Sequence, residues 1–506
     1  MSNDLKAQIV KADRRQWTNV HRSVTEKIEA LYKVRNPDVR PSVKGLRATT
    51  EALQSLIAEA ITDGKRLRAL GSGWSLSRAP VARGRLLITA PMNWRFPISS
   101  RSVVPGIDPS HLSLVQCGMT IEELHEAFRP KQRSLQTSGA SNGQTIVGAM
   151  STGTHGSGLD VGSIQDYIHA MHLIVGPDRH VWLERDSHPV MVDGFASRLG
   201  AELIRDDTLF NAALVSFGSF GIIHAVVVET EPLFLLEADR KKIPWDDTLR
   251  QAVDTLDFSG VPIFRDNERP YYVRVVLNPH DPNGDVYVDF MYKHDYEEPY
   301  DRGEQGEGSV SPGDDALAVV GTIGTILPPL IPQIANALFS GIYKEFERPQ
   351  WGTLGETFGP TSIQGAATGA GMGVPVEWAS RAIDTLRAVH EEHGPLAGVF
   401  ALRFVRGSDA LLAFTRYERT CVVDIDGPHN KSSHKFFQHA WKAFDDAQIP
   451  YTLHWGKYNQ HLNAARVRRM YGDDVDRWIA SRERLLDART RAVFTNRFME
   501  RCGLAT

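Results

Sequence analysis

The 506-residue chain has few cysteines, little net charge and no apolar stretch near its beginning. Its three cysteines, Cys117, Cys421 and Cys502, lie far apart, which argues against a disulfide framework and against a structural zinc site. The balance of 57 basic and 61 acidic side chains gives no reason to expect nucleic acid as a partner. Residues 1–17 are charged throughout and lack the core of a secretion signal, so we expect a cytoplasmic protein.

Charged side chains are also missing from residues 316–343. A helix of that length can cross a membrane. However, Pro328, Pro329 and Pro332 interrupt the segment, so we expect a broken pair of buried helices and no clear membrane span. The alternatives are that the segment forms the wall of a hydrophobic substrate entrance, or that it contacts a lipid surface or another subunit.

Short predicted strands and helices follow one another along the chain, which is typical of an α+β protein with more than one domain. In the first half, apolar spacing predicts helices over residues 24–33 and 42–64 and a strand over residues 65–70. The second half has the pattern of an antiparallel sheet with helices against one face. Its predicted elements are a hairpin over 271–293, a helix over 377–393 and strands over 398–406, 411–417 and 420–427.

Two glycine-rich tracts are candidate ligand-binding loops. The first, GSGWS at residues 71–75, directly follows a predicted strand. The second, residues 134–158, contains six glycines and no charged side chain, and its composition is poor in helix formers. A flexible linker of this composition rarely carries residues such as Ile146, Val147 and Met150, so we expect an ordered loop that binds a ligand.

Three chemistries can be considered for these tracts. GASNG at residues 139–143 matches the G-x-S-x-G motif of serine hydrolases, but it lacks the buried strand before the motif and the helix after it. The dinucleotide motif G-x-G-x-x-G and the Walker motif do not occur at a strand-to-helix junction. Backbone N–H groups and small hydroxyls can hold a pyrophosphate and a flat ring system, as in FAD, although these features alone do not select FAD.

The order of four motifs carries a resemblance to a known family. These motifs are RALGSGWS at 68–75, GASNGQTIVGAMSTGTHGSG at 139–158, SFGSFGII at 216–223 and HWGK at 454–457. Together they resemble the vanillyl-alcohol oxidase superfamily, and HWGK is similar to its aldonolactone and alditol oxidase branch. The resemblance implies an FAD-dependent oxidase or dehydrogenase that acts on CH–OH groups. Residues 300–345 are an insertion without an assigned counterpart.

The resemblance also implies a fold and a division of the chain. The expected fold class is α+β, with a two-subdomain FAD-binding (PCMH-type) domain and a substrate domain that has an antiparallel sheet and flanking helices. We expect an N-terminal helical segment at 1–40, the FAD-binding domain at 41–235, the substrate domain at 236–450 and a C-terminal segment at 451–506 that returns to the flavin.

For the cofactor, the resemblance implies FAD that is not covalently attached. In many relatives the position of Trp74 is a histidine that bonds covalently to the flavin, whereas an indole nitrogen is only a donor. We therefore expect Trp74 to pack near the dimethylbenzene edge of a dissociable FAD. The positions that the resemblance assigns to cofactor binding are Gly71, Ser72, Gly73, Trp74, Ser75, Ser141, Gln144, Gly148, Ser151, Thr152, Gly153, Thr154, His155, Ser157, Gly221, Ile222 and Lys457.

On the substrate side, the resemblance assigns catalytic positions to Lys457, Arg403 and Asp424. Lys457 matches a lysine near the flavin N1 and C2 carbonyl. Sugar-oxidising relatives carry Glu-x-Arg where this chain has Ala401 and Arg403, and a histidine near the position of Asp424. Asp424 is a general base, the partner of Arg403 or a solvated acid at the edge of the sheet, and in a strand it shares a face with Asp426.

The departures from the family pattern at Ala401 and Asp424 bear on the expected substrate. The lost glutamate and the uncharged segment favour a small-molecule CH–OH donor, or a related C–H donor, that is less polar than a sugar lactone. From the resemblance we expect an oxidase with dioxygen as the acceptor. The alternatives are a flavin-dependent dehydrogenase that uses another acceptor and a flavin-binding protein without redox turnover. No metal ion is expected.

Overall fold

In the computed structural model of the chain, residues 5–302, 343–359 and 366–505 are described, together with residues 336, 337, 339 and 341. Most of the uncharged segment 316–343 lies outside the described residues, so its role stays a prediction. Within the described ranges, no helix combines the length and the apolar character that a membrane span requires.

The described strands and helices alternate along the whole chain. The strands of the first half are β1 (Gln8–Ala12), β2 (Gln16–Thr18), β3 (Thr25–Lys27), β4 (Ala30–Arg35), β5 (Leu67–Leu70), β6 (Arg85–Ile88), β7 (Arg95–Pro97), β8 (Leu112–Gln116), β9 (Arg133–Ser134), β10 (Ile168–Ile174), β11 (His180–Glu184), β12 (Glu202–Arg205), β13 (Ile222–Glu229) and β14 (Glu231–Pro232). The strands of the second half are β15 (Phe234–Ile243), β16 (Tyr272–Leu277), β17 (Val286–Asp295), β18 (Gln350–Thr353), β19 (Ala367–Pro375), β20 (Val399–Arg406), β21 (Arg419–Pro428) and β22 (Thr452–Leu453). The helices are α1 (Val43–Thr62), α2 (Ile121–Phe128), α3 (Ile146–Thr152), α4 (Asp193–Leu199), α5 (Asp207–Leu214), α6 (Asp247–Thr255), α7 (Leu354–Thr357), α8 (Ala379–His393), α9 (Lys431–Asp446), α10 (Ala464–Tyr471), α11 (Asp474–Leu485), α12 (Ala488–Phe494) and α13 (Arg497–Cys502).

The first domain contains two sheets with α1 between them. One sheet has the order β1–β4–β6–β5, and both β4 and β5 pair in parallel with β6. The other sheet has the order β12–β11–β10–β13–β8–β7 and is antiparallel except for β11 with β12. Helix α1 begins after Ser42, whose hydroxyl accepts a hydrogen bond from the Gly45 N–H at 3.1 Å. The helix predicted over residues 42–64 is therefore confirmed.

The second domain is built on an antiparallel sheet of eight strands, in the order β18–β15–β17–β16–β20–β21–β19–β22. Helices α6, α8 and α9 cover one face, where Phe400 of β20 stacks on Phe436 of α9 with ring centroids 5.9 Å apart. Because side chains alternate along a strand, Ala401 and Arg403 lie on the opposite face. The hairpin over 271–293 is confirmed, as are the helix over 377–393 and the strands over 398–406 and 420–427.

Three predictions of local structure are wrong. Residues 24–33 are not a helix, and no helix occurs in residues 5–40, the described part of segment 1–40, because β4 is held between β1 and β6 by main-chain pairing. The tract at 134–158 does contain a helix, α3, which begins after Thr145. Residues 411–417 form a buried turn and not a strand, in which the Ser408 N–H donates to the Thr415 carbonyl at 2.9 Å. In each case long-range packing overrides the local pattern.

The C-terminal segment packs on the first domain although it follows the second in the chain. The Asn496 side chain donates to the carbonyls of Ala79 and Val81, each at 2.8 Å. The Trp478 indole donates to the Val215 carbonyl at 3.2 Å. The last part of the chain therefore supports the loops that follow β5 and α5.

Candidate active site

A cleft of about 950 Å³ opens where the two domains and the C-terminal segment meet. Most of its lining comes from the loop after β5, the tract around α3 and residues 454–457, and His21 adds a contact from the N-terminal segment. The loop after β5 lies at the carboxyl end of a strand that pairs in parallel with β6. Arg403 of β20 closes the cleft on the side of the second domain.

A second cleft of about 490 Å³ continues from the first. It extends toward the start of β13, where Phe217, Gly218 and Gly221 line it. The residues that line both clefts are Leu70, Gly71, Pro80, Thr145, Gly148 and Thr152. Together the two clefts form one elongated groove that suits a ligand longer than a single ring system.

Glycines in the walls leave room that any other side chain would fill. A Cβ atom on Gly71 would lie 2.0 Å from the Thr145 hydroxyl oxygen, and one on Gly221 would lie 2.5 Å from the Ile174 carbonyl oxygen. Gly221 also has a positive φ of 107°. The Thr145 hydroxyl accepts a hydrogen bond from the Gly148 N–H at 3.3 Å at the beginning of α3. The backbone itself therefore forms this end of the groove.

Trp74 lies in the wall of the cleft. A Cβ atom on Gly143 would lie 2.5 Å from the Trp74 ring, so the glycine allows the indole to pack flat against the second tract. His21 meets the indole edge-on with ring centroids 5.4 Å apart. The ring thus faces the cleft from between two segments and is not a core side chain.

Hydrogen bonds join the loop after β5 to the HWGK segment. The Gly456 carbonyl accepts from the Leu76 N–H at 2.7 Å and from the Ser75 hydroxyl at 3.2 Å. The Ser77 hydroxyl donates to the Trp455 carbonyl at 2.6 Å. These contacts fix the position of the C-terminal segment relative to the glycine loop.

Four charged side chains meet at the end of the cleft beside the second domain. Lys457 Nζ lies 2.6 Å from Asp424 Oδ1 and 3.4 Å from Asp426 Oδ1, and Arg403 Nη2 lies 2.7 Å from Asp424 Oδ2. Burial by itself disfavours a charged Asp424, but Arg403 and Lys457 outweigh it and hold the pKa of Asp424 below its ordinary value. Arg403 and Lys457 line the cleft, whereas Asp424 and Asp426 are fully buried behind them.

Two neutral histidines line the same end. Burial, with a smaller contribution from Arg403, lowers the pKa of His155 to about 3. Burial and the neighbouring His155 lower the pKa of His454 well below its ordinary value. Phe414 packs against both rings, with centroids 5.3 Å from His155 and 4.4 Å from His454.

The structure brings most of the predicted site residues together. Those that line one or both clefts are Gly71, Ser72, Gly73, Trp74, Ser75, Ser141, Gln144, Gly148, Ser151, Thr152, Thr154, His155, Gly221, Arg403 and Lys457. Four others have different surroundings. Gly153 ends α3 with a φ of 78°, Ile222 begins β13 in the core, and Asp424 lies behind the cations. The Ser157 hydroxyl donates to the Val273 carbonyl and accepts from the Phe404 N–H, so it joins β16 to β20.

Several residues that line the clefts are not predicted from the sequence. His454 belongs to the HWGK motif, but only the lysine of that motif was singled out. Thr145 stands in the motif at 139–158. Its position before α3 is not evident from the sequence, because the tract is poor in helix formers. His21 and Phe217 carry no local signal, since each comes to the groove from a distant segment.

The groove fits FAD in shape and in chemistry. It is elongated, its cofactor end is uncharged, and the Gln144 side-chain oxygen facing this region is buried without a hydrogen-bond partner among the described residues. Main-chain N–H groups and hydroxyls suit a pyrophosphate, and Lys457 with Arg403 suits negative charge on a reduced ring.

Residues 46–183 match the FAD binding domain family. The L-gulono-1,4-lactone dehydrogenase of Mycobacterium tuberculosis is 23% identical over 463 residues, which cover 90% of this chain and 95% of that protein. The D-arabinono-1,4-lactone oxidase of Yarrowia lipolytica is 25% identical over 217 residues, which cover 42% of this chain but only 36% of that protein. Among solved structures, cholesterol oxidase from B. sterolicum superposes with a TM-score of 0.68 at 12% identity, covering 100% of this chain and 98% of that one.

The chain is therefore an FAD-binding flavoprotein with a PCMH-type domain, and the predicted fold class is confirmed. It is an FAD-dependent oxidoreductase, its fold is similar to that of the cholesterol oxidase, and its relatives by sequence include proteins named aldonolactone oxidases and dehydrogenases. The predicted cofactor, FAD, is confirmed, while its non-covalent attachment stays a prediction.

Proposed function

We propose that the protein oxidises the CH–OH group of a small-molecule donor that is less polar than a sugar lactone, and that dioxygen accepts the electrons. The proposal depends on the residue two positions before Arg403 in β20. A methyl group stands there, where the resemblance implies a carboxylate in the sugar-oxidising relatives.

That methyl group belongs to Ala401, which lies opposite Asp424 in the sheet and is 3% exposed. Tyr343, in the same cluster, is fully buried, and its hydroxyl accepts a hydrogen bond from Arg274 at 2.9 Å. The buried side chains of this cluster are Val276, Tyr287, Phe339, Tyr343, Val399 and Ala401. These side chains lie behind the cleft lining formed by the described residues. Ala401 itself offers no acceptor for the ring hydroxyls of a sugar, which supports a donor with an apolar body.

The end of the cleft that carries Arg403 and Lys457 suits the single polar group of such a donor. FAD, when bound, takes up the hydride from the donor carbon. Arg403 and Lys457 provide donors where negative charge develops on the oxygen and on the ring. Asp424 and Asp426 hold these two cations in place, and Asp424 acts here as a positioning residue.

The names of the relatives support two different electron acceptors. The Yarrowia lipolytica relative is named an oxidase, which supports dioxygen. The Mycobacterium tuberculosis relative is named a dehydrogenase, so a dehydrogenase with another acceptor is the alternative function.

Anaerobic reduction of the bound FAD tests the proposal. The purified protein is mixed without air with vanillyl alcohol, cholesterol or L-gulono-1,4-lactone, and the flavin absorbance is followed. We expect vanillyl alcohol or cholesterol to bleach the flavin faster than the lactone. We also expect readmitted air to restore the colour with release of hydrogen peroxide.

Bleaching by the lactone alone would contradict the proposal that the donor is less polar than a sugar lactone. Flavin that stays reduced in air would support the dehydrogenase, and no bleaching by any donor would support a flavin-binding protein without turnover.

A further inference from the structure

The oxidation of an alcohol requires a group that takes the hydroxyl proton, and the charged end offers several candidates. Asp424 is held by Lys457 at 2.6 Å and by Arg403 at 2.7 Å. Its side chain is fully buried and does not reach the cleft wall formed by the described residues. A substrate in the cleft therefore contacts Arg403 and Lys457 first, and both of these are proton-bearing donors.

The hydrogen bonds of the two histidines fix their tautomers. His155 Nδ1 lies 2.9 Å from the Gly156 carbonyl oxygen, which can only accept, so this nitrogen carries the proton and Nε2 has a free lone pair. His454 Nδ1 accepts from the Gly456 N–H at 2.9 Å, so its proton is on Nε2. Neither Nε2 atom has a hydrogen-bond partner among the described residues.

The surroundings keep both rings neutral and hold them side by side. Their centroids are 5.7 Å apart, and Phe414 packs against both. The charged groups that face them are Arg403, Lys457 and Asp424. The cleft wall thus presents one imidazole that can accept a proton beside another that can donate a hydrogen bond.

We propose that these two histidines share the handling of the substrate hydroxyl group, with His155 Nε2 accepting its proton and His454 Nε2–H donating a hydrogen bond to its oxygen. The inference rests on the proposed function, because it assigns the base of that same alcohol oxidation. His155 was expected to contact the cofactor, and this proposal gives it a catalytic role.

In this step the alcohol loses one proton and one hydride, and FAD is the oxidant. The O–H bond breaks and its proton moves to His155 Nε2 as the hydride leaves. The resulting imidazolium is short-lived, because burial and Arg403 hold the pKa of His155 at about 3. The C–H bond breaks and its hydrogen leaves with both electrons as a hydride to FAD. An oxygen lone pair forms the carbonyl bond, and the proton on His155 later returns to solvent.

The tautomers can be measured without any substrate. In FAD-loaded protein carrying ¹⁵N-labelled histidine, the signals of the two rings are assigned by their loss in His155→Gln and His454→Gln. We expect His155 to be protonated on Nδ1 alone and His454 on Nε2 alone throughout pH 6–8. A proton on His155 Nε2 in this range would overturn the proposal.

The chemical step is tested with whichever of vanillyl alcohol, cholesterol and L-gulono-1,4-lactone bleaches the wild-type flavin fastest. We expect His155→Gln to slow anaerobic reduction by roughly 10²- to 10⁴-fold at full FAD loading, the range for loss of a general base. His454→Gln should slow it by about tenfold, as for loss of one hydrogen bond. Added imidazole should restore part of the rate in His155→Ala, a rescue that a purely structural role would not produce.

The exposed His188 provides the matched control, since His188→Gln should reduce at the wild-type rate. A His155→Gln protein that is fully loaded and reduces at the wild-type rate would overturn the assignment of the base. If no donor bleaches the wild-type protein, the proposed function fails and the base assignment fails with it. The tautomer measurement would still show whether the two rings have the predicted protonation.

Discussion

The two ends of the groove are lined by different kinds of chemical groups. At the cofactor end the walls are main chain, glycines and small hydroxyls, as at Gly71 and Thr145. At the substrate end they are charged and aromatic side chains that hold one another, as at Arg403 and Lys457. The first end should therefore be sensitive to added atoms, and the second to removed charges. Substitutions at Lys457, Gly71 and Trp74 separate the two ends, in order from the largest expected effect to the smallest.

Removal of the Lys457 charge should have the largest effect. Lys457→Met leaves Asp426 without the buried cation that lies 3.4 Å from it, and it removes a positive charge from the reaction. We expect anaerobic reduction to lose about 2–4 kcal/mol of transition-state stabilisation, with FAD occupancy little changed. Stopped-flow reduction measures this effect, and Lys442→Met, which removes an exposed lysine, is the control. An unchanged reduction rate would remove Lys457 from the active site.

An added methyl group at the cofactor end should have the next largest effect. In Gly71→Ala the new Cβ would lie 2.0 Å from the Thr145 hydroxyl oxygen, so the loop or α3 must move. We expect FAD binding to weaken by about 1–3 kcal/mol, as in overpacked sites. Fluorescence titration of the apoprotein with FAD measures the loss. Gly194→Ala, where nothing lies within 4 Å, should bind normally. Normal binding by Gly71→Ala would show that this end tolerates added atoms.

Acid should destabilise the first domain through histidines that are buried and neutral. Burial lowers the pKa of His224 to about 3 and that of His172 well below its ordinary value. Between these values and the unfolded pKa near 6.5, the unfolded chain binds protons that the folded chain does not. Stability is therefore complete above about pH 6.5 and falls as the pH drops below it, by about 1.4 kcal/mol per pH unit for each histidine.

Urea unfolding at a series of pH values measures this slope. His224→Gln should reduce the slope by one histidine's share, whereas His188→Gln, at an exposed position, should leave it unchanged. Equal slopes in the two variants would mean that His224 is protonated in the folded protein.

The smallest effect is expected at Trp74. Trp74→Phe keeps an aromatic ring between Gly143 and His21, so FAD affinity should change by less than about 1 kcal/mol. Acid precipitation should release FAD from both the variant and the wild type, because an indole cannot form the covalent bond seen in relatives. Flavin that stays with the precipitate would contradict this, and His21 would be the first residue to examine.

The sequence predicts best where the signal is local. The capped helix after Ser42 follows the apolar pattern, and the shared face of Asp424 and Asp426 follows from strand geometry, since Lys457 contacts both. The pairing of His155 with His454 could not be predicted, because it joins distant segments through packing on Phe414. For the same reason the strand at β4 was mistaken for a helix, since its pairing partners lie outside the local window.

The bond between the Leu76 N–H and the Gly456 carbonyl, at 2.7 Å, has a consequence for biosynthesis. The neighbouring contact from Ser75 to Gly456 spans 381 positions of the chain. A ribosome that has released the first domain has therefore not yet supplied one wall of its groove. The groove is therefore complete only when nearly the whole chain has emerged, although the glycine-rich walls at its other end are already present.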